Sequence, residues 1–362
     1  MADSVVLGGQ EAPFGLNLIF AAADHPDFVF HLEICEDLWA PSPPSTVGAM
    51  AGATVLLNLS ASNITIGKAR DRAVLCDSQS RRCVAAYLYA AAGHGESTTD
   101  LAWDGQLSAY ELGEKLLESE RFATDATYAV TDIDVERIRL ERLRMSTFRD
   151  TAAHYAEAIL EFRRVEFTLA PPVTQAVPLK REIPRFPFVP DDPGMLDQDC
   201  FEAYNIQVKG LLTRLQSSGV KKIVIGVSGG LDSTQALLVA VRAMDLMGAP
   251  RTNIVAITMP GFGTSAETKT NADALMAVLG VDRREIDIKP ASNLMLKDIG
   301  HPFARGEKVY DVTFENVQAG LRTDYLFRVA NFENGMVLGT GDLSELALGW
   351  CTYGVGDHMS HY

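Results

Sequence analysis

Through residues 1–135, short apolar runs with strand character at Phe28–Ile34, Thr54–Asn58 and Thr127–Thr131 alternate with helical stretches, the longest over Ala69–Ala92. Residues 136–167 are densely charged and carry helical spacing. Seven prolines then fall between Leu169 and Pro193 in a stretch with little periodicity, which predicts a linker laid over a surface. From Asp197 the pattern turns to helix, strand, Gly-rich turn, helix, strand (Ile254–Met259), helix (Ser265–Leu279) and strand (Arg284–Ile288). Alternation of this kind predicts a parallel sheet covered on both faces. The division expected is therefore 1–167, a linker over 168–196, and 197–362, with no internal repeat and no low-complexity tract.

The most informative turn lies between Ile223–Val227, a β-branched run, and an apolar helical pattern from Thr234 to about Met247. It reads Ser228-Gly229-Gly230-Leu231-Asp232-Ser233. A strand entering a helix through glycines aims backbone N–H groups at one point, and the helix dipole adds partial positive charge there. Gly229 and Gly230 let phosphate oxygens approach the backbone, Ser228 and Ser233 offer hydroxyl donors, and Asp232 offers a carboxylate for Mg²⁺. No lysine follows the glycines, so this is not the Walker-type P-loop. A bare Ser-Gly-Gly would be an ordinary βα turn, but the full hexapeptide after a strand resembles the PP-loop of ATP pyrophosphatases, which split ATP into AMP and pyrophosphate.

Length and composition fit this picture without narrowing it. The chain has 362 residues, enough for two cores, with 47% apolar and 22% charged residues. A net charge of −15 argues against a broad nucleic-acid surface, while leaving nucleotide binding open. Cys35, Cys76, Cys83, Cys200 and Cys351 are odd in number and lack C-x-x-C spacing, so a disulfide framework and structural zinc are not expected. The first residues carry no basic and apolar leader pattern, and no window reaches 18 uninterrupted apolar residues. The expectation is a soluble, cytoplasmic protein with no membrane and no nucleic-acid partner.

A second constellation sits at Phe28–Trp39, where Cys35 ends a β run and acidic residues and prolines follow. A strand-end cysteine in a polar setting suits a nucleophile, although a single cysteine is more often a small buried hydrophobe. Glu33-Ile-Cys-Glu-Asp37, followed by Val55-Leu-Leu-Asn-Leu-Ser-Ala-Ser62, resembles the nitrilase-superfamily amidases. An amidase of that type joined to a PP-loop half is the arrangement of the glutamine-dependent NAD⁺ synthetase family. Gly95–Gly105, Val309–Arg322 and Leu338–Gly354 carry the same resemblance, which spans nearly the whole chain and is most similar to the actinobacterial type.

The resemblance implies a partial nitrilase-like α-β-β-α sandwich followed by a parallel-sheet, Rossmann-like PP-loop domain of the adenine nucleotide α-hydrolase kind. In that family the amidase half releases ammonia from glutamine, and the synthetase half adenylates deamido-NAD before ammonia displaces AMP. By similarity Cys35 is the catalytic nucleophile, and Glu36, Trp39 and Ser62 line the glutamine pocket. Ser228, Gly229, Gly230, Asp232, Ser233 and Thr340 would hold ATP, Asp232 and Glu345 would bind Mg²⁺, and Asn316, Arg322 and Asp357 would touch deamido-NAD. Thr340 and Glu345 follow a β-like Met336–Leu338 and a Gly-rich turn, the strand end where α/β sheets bind ligands. Taken alone, Glu345 would equally suit a first-turn helix carboxylate, and Arg322 a surface salt bridge. His358-x-x-His361 has zinc-like spacing without partner ligands, so no zinc is expected. A homo-oligomer and an ammonia tunnel are likewise implied by the family.

This sequence also departs from the family pattern. The amidases use a Glu base and a Lys upstream of the Cys, whereas only Glu11 and Glu33 precede Cys35 and the first lysine is Lys68. Residues 10–40 already match the interior of the amidase, and Tyr362 follows soon after the Glu345 segment. The chain thus reads as a central slice of a longer enzyme, with impaired glutamine hydrolysis and exposed sheet edges expected. The competing expectations are another PP-loop amidotransferase and a non-catalytic ATP-binding module; a free-standing nitrilase fits less well.

Overall fold

The computed structural model describes residues 3–97, 100–171, 177–187, 189–264, 266–349 and 359–362, in two compact units, Met1–Arg185 and Phe186–Tyr362.

The first unit runs β1 (Ser4–Leu7), β2 (Gln10–Pro13), β3 (Leu18–Ala22), β4 (Val29–Ile34), α1 (Pro44–Met50), β5 (Val55–Ser60), α2 (Lys68–Arg82), β6 (Ala86–Ala91), β7 (Leu107–Glu111), β8 (Glu114–Glu118), α3 (Val135–Arg144), α4 (Ser146–His154), α5 (Ala156–Leu160) and β9 (Arg163–Phe167). β1 and β2 form an antiparallel ribbon, and the other seven strands form one mixed sheet in the order β8-β7-β6-β5-β4-β3-β9. Its centre, β4-β5-β6, is parallel, whereas β3 meets β4 and β6 meets β7 antiparallel. Side chains alternate with the two-residue strand period. Leu56, Tyr87 and Tyr89 pack with Ala49 of α1 and Cys76 of α2, while Val55 and Ala86 pack on the other face against Ile138 of α3. Arg142 ties α3 down by donating to the carbonyls of Ala53 (2.6 Å), Val84 (2.9 Å) and Cys83 (3.2 Å). Burial draws its pKa down to about 10.

Three sequence expectations need correction here. Ala69–Ala92 is not one helical stretch: α2 stops at Arg82, Val84 takes φ +46, and Ala86–Ala91 becomes a strand. Tyr87 and Tyr89 favour a strand, and the place between β5 and β7, where both backbone edges find partners, carries the flanking alanines into it. Thr127–Thr131 forms no strand, because β-propensity without a ladder partner does not suffice, and Tyr128 is 89% exposed. Residues 136–167 end in strand β9, which pairs in parallel with β3.

Beyond β9 the chain stays tied to this unit. Asp24 accepts the N–H groups of Leu169 (2.9 Å) and Ala170 (2.8 Å), which lowers its pKa. Asp132 accepts those of Lys180 and Arg181, and the Arg181 guanidinium reaches Glu111 at 3.0 Å.

The second unit runs α6 (Pro193–Ser218), β10 (Lys222–Gly226), α7 (Leu231–Met247), β11 (Ile254–Thr258), α8 (Ala266–Leu279), β12 (Asp282–Glu285), α9 (Lys289–Asp298), α10 (Val312–Glu333), β13 (Gly335–Leu338) and α11 (Leu343–Leu348). Its sheet is fully parallel in the order β12-β11-β10-β13, so the expected architecture of this half holds. Ile223 and Ile225 face Leu211, Leu215 and Leu237 of α6 and α7, while Val224 and Val337 face Ala330 and Leu326 of α10. The strands proceed outward from β10 to β12 and then return to its other side at β13. A crevice at the carboxyl ends of β10 and β13 follows from that reversal. No helix among the described residues is long and apolar enough to cross a membrane.

Candidate active sites

The glycine turn lies at this reversal point. Gly229 takes φ +89, a conformation costly for any residue with a Cβ. Gly230 is the N-cap of α7, which begins at Leu231 rather than Thr234 and gets no side-chain cap. The early N–H groups of α7 are therefore not claimed by a capping side chain and present partial positive charge. Hydroxyls brace the turn: Ser228 and Ser233 Oγ are 3.1 Å apart, Ser233 Oγ donates to the Gly230 carbonyl at 3.2 Å, and Gly230 N–H donates to Ser228 Oγ at 3.2 Å.

Two cavities open at this end of the sheet. One, of about 420 Å³, is lined by Ser228 and Ser233, Thr258 and Thr264 from β11 and its following loop, Arg322 of α10, and Thr340. The other, of about 430 Å³, is lined by Asp232, Gln235, Gln207, Asp342 and again Thr340. The structure thus gathers Ser228, Ser233, Arg322 and Thr340 on one cavity, with Asp232 across Thr340 on the next. Arg322 Nε donates to the Met259 carbonyl at 3.3 Å, and burial lowers the guanidinium's pKa. Asn316 lines a separate cavity with Val312, Gly320 and Asp324. Six residues turn a helix by roughly 600°, so positions 316 and 322 face different directions from α10. Asp357 lies outside the described residues.

Glu345 lines neither cavity at this end of the sheet. It completes a capping box at the start of α11: Asp342 N–H donates to its Oε2 at 3.1 Å, and its own N–H donates to Asp342 Oδ1 at 3.2 Å. This is the first-turn carboxylate that its position alone allows. Among the described residues no group of three Asp, Glu, His or Cys side chains could hold a metal. A Mg²⁺ at Asp232 would thus need further oxygen ligands from nucleotide, water or a rearranged carboxylate.

Sequence reasoning missed Thr258, Thr264, Gly261 and Gln318. Gln318 is buried, accepts the Phe262 N–H at 3.0 Å, and donates to the Phe314 carbonyl at 3.1 Å. A Cβ at Gly261 would stand 2.5 Å from Gln318 Oε1 and 2.7 Å from Arg322 Nη2. The signal available was Pro260-Gly-Phe-Gly-Thr264, a second Gly-rich exit from a strand beside the first.

In the first unit Cys35 is half-buried at the end of β4 and takes φ +55, opening a short 3-10 turn, Cys35–Trp39. The turn is pinned where Ile34 N–H donates to Asp37 Oδ2 at 2.8 Å and Asn58 Nδ2 donates to the Cys35 carbonyl at 3.3 Å. Lys68 lies 6.0 Å from the Trp39 ring centroid and donates to the Asn63 carbonyl at 2.8 Å, which brings the loop carrying half-buried Ser62 beside Trp39. Glu36 is exposed. Burial pushes the Cys76 and Cys83 thiols up to about 12 and about 11, which leaves them inert by comparison. Glu33 is a buried residue whose two oxygens accept the Tyr87 hydroxyl and the Ser45 N–H.

A family model described as NAD synthase matches residues 203–359. The chain is 61% identical over 359 residues to the glutamine-dependent NAD(+) synthetase of Mycobacterium tuberculosis (strain ATCC 25618 / H37Rv), covering 99% of this chain and 53% of that protein. It is 29% identical over 322 residues to the protein of the same description from Thermotoga maritima, covering 88% of this chain and 51% of that one. A solved glutamine-dependent NAD+ synthetase from Acinetobacter baumannii, in complex with ADP, aligns over 96% of this chain and 54% of its own, at 22% identity and a TM-score of 0.41. The chain spans about half the length of the curated relatives it matches.

Proposed function

We propose, for a chain that belongs by sequence to the glutamine-dependent NAD(+) synthetases, that its second unit binds ATP and activates the nicotinate carboxylate of deamido-NAD for amidation. The observation carrying this is the convergence of Ser228, Ser233, Arg322 and Thr340 on one cavity at the sheet's reversal point. A carboxylate oxygen attacks the α-phosphorus of ATP, and pyrophosphate leaves. The N–H groups at the start of α7 and the Ser228 and Ser233 hydroxyls would hold the departing phosphates. Thr340, on both cavities, would hold nucleotide where they meet, and Arg322 would offset charge on the reacting phosphoryl or carboxylate. Asp232, with Glu345 recruited from its capping box, would hold Mg²⁺, which spreads charge as pyrophosphate leaves. Ammonia then attacks the acyl carbon, AMP departs, and loss of a proton leaves the amide.

For the first unit we propose the glutaminase chemistry. Cys35 Sγ attacks the glutamine side-chain carbonyl, ammonia leaves, and water hydrolyses the thioester to glutamate. Trp39, Ser62 and Glu36 would surround the substrate beside the positive-φ turn. Asn316 would contact the dinucleotide from its own cavity, and Asp357 would join it.

The test is AMP and NAD⁺ formation from MgATP and deamido-NAD with ammonium or glutamine as nitrogen source. Product with ammonium supports the synthetase assignment, and product with glutamine extends it to Cys35. A folded chain that binds ATP yet turns over xanthosine monophosphate or aspartate in place of deamido-NAD overturns the substrate. ATP binding with no turnover of any acid favours a binding module.

A further inference from the structure

The turn that carries Cys35 is held from two sides. Asp37 Oδ2 accepts the Ile34 N–H at 2.8 Å, which ties down the strand end before the cysteine. Asn58 Nδ2, from the neighbouring strand β5, donates to the Cys35 carbonyl at 3.3 Å, which fixes the peptide after it. β4 and β5 run parallel with Glu33 beside Asn58, so the ladder itself sets where the Asn58 side chain starts. Along β4 the buried side chains are those of Val29, His31 and Glu33. One more extended residue would turn the Cys35 thiol to that same buried face. Cys35 instead takes φ +55 and stays half-buried. A residue with a Cβ keeps that conformation only where its surroundings over-determine it. Val84, at φ +46 in the same unit, shows the device again: Arg142 Nε donates to its carbonyl at 2.9 Å. Stability does not account for an asparagine at position 58. Only 1% of the residue is exposed, and its Oδ1 is buried with no hydrogen-bond partner among the described residues. A half-satisfied buried amide costs stability that a leucine of similar branched outline would avoid. Turning the amide over would set Oδ1 against the Cys35 carbonyl, acceptor against acceptor.

We propose that Asn58 is a positioning residue for Cys35: its amide clamps the Cys35 carbonyl, holds the left-handed turn, and so keeps the thiol from following β4 into the buried face. Asn58 touches no substrate in this role and acts only through the cysteine backbone. The catalytic meaning of the clamp rests on the reading of Cys35 as the glutaminase nucleophile.

The test is site-resolved alkylation of the full chain by iodoacetamide, read by mass spectrometry, with exposed Cys200 as the reference thiol in the same molecule. Rates are taken on the high-pH plateau, where both thiols are ionised and access sets the difference. Asn58→Leu should lower the Cys35-to-Cys200 rate ratio about threefold to tenfold, because one net hydrogen bond shifts the balance between turn and extended backbone by up to about tenfold. The same variant should keep or raise the melting temperature, since the unpaired buried acceptor is gone. That opposition separates positioning from a structural role, which would lose both together. Should Asn58→Leu be too bulky to fold, Asn58→Ala carries the same expectation for the ratio. Leu56→Ala, on the same buried face of β5, is the control: it should lower the melting temperature and leave the ratio unchanged. A ratio unchanged in folded Asn58 variants, or one that falls as far in Leu56→Ala, overturns the proposal. Labelling of the unsubstituted chain by the diazoketone analogue of glutamine, blocked by glutamine, checks the nucleophile reading separately. Cys35 that takes iodoacetamide but refuses the diazoketone overturns that reading, while the alkylation ratio still decides the clamp.

Discussion

Replacing Gly261 by alanine tests whether the loop after β11 shapes the cavity proposed to hold nucleotide. The added Cβ would meet Gln318 Oε1 at 2.5 Å and Arg322 Nη2 at 2.7 Å, about 1 Å inside ordinary contact. Gln318 cannot swing away freely, because it is buried and bonded to Phe262 N–H at 3.0 Å and the Phe314 carbonyl at 3.1 Å. Shifting its amide leaves the Phe262 donor without its partner, at a cost of about 1–3 kcal/mol, and overpacking adds about 1–3 kcal/mol. A net cost of about 2–4 kcal/mol follows if part of the clash relaxes, which in a unit of this size lowers Tm by roughly 5–15 °C. Arg322 is displaced in the same step, and on the proposed reading that it faces the reacting phosphoryl, loss of a charged hydrogen bond of about 1.5–3 kcal/mol would raise the ATP Kd by about tenfold to a hundredfold. Calorimetric melting with and without ATP, together with titration calorimetry, measures both. Gln318→Ala in the same chain should relieve part of the clash, so the pair of substitutions should cost less than the sum of the singles. Unchanged Tm and unchanged ATP affinity in Gly261→Ala would refute the reasoning.

Other outcomes follow from the same geometry. Ser233→Ala removes a hydroxyl that braces Ser228 and lines the cavity beside the glycine turn, and should weaken ATP binding about tenfold by titration calorimetry with little change in the circular dichroism spectrum. Arg72 donates to Asp104 at 3.1 Å and to Gln106 at 2.6 Å, both within a buried cluster. Asp104→Ala strands that guanidinium and should cost about 3–5 kcal/mol in urea unfolding, whereas Arg72→Met/Asp104→Leu should cost far less. Asp24 has a folded pKa lowered from 3.8 by the Leu169 and Ala170 N–H groups. Its contribution is therefore present above about pH 4 and lost as pH falls through the folded value, so amide exchange at Leu169 and Ala170 should accelerate only below pH 4, relative to other exposed amides. Acceleration setting in at neutral pH would sink that assignment.

How much of this was legible in the chain depends on the range of the interaction that decides each feature. The strand, glycine turn and helix at 222–247 were readable because backbone sterics, a two-residue period and a helical stripe act over a few residues. The Asp342-x-x-Glu345 box and the placement of Cys35 at a strand end were local in the same sense. Ala86–Ala91 was misread, because its alanines continue the pattern of α2, while the strand, favoured by Tyr87 and Tyr89, is decided by pairing with β5 and β7 on its two sides. The cavity was not readable either: Ser228, Thr258, Thr264 and Arg322 come from the end of β10, β11, its loop and α10, and meet because two strands and a helix pack at one end of the sheet. Asn316 and Arg322 look like neighbours in sequence, yet helix rotation sends them to different cavities. By itself, then, the sequence determined the types of element, the glycine turn, the strand-end thiol and the family resemblance. Only the tertiary structure decided which side chains share a cavity, that Glu33 accepts the Tyr87 hydroxyl, and that Asn58 donates to the Cys35 carbonyl. Those meetings join residues that are far apart along the chain, and they are set by the collective packing of whole elements rather than by any local pattern.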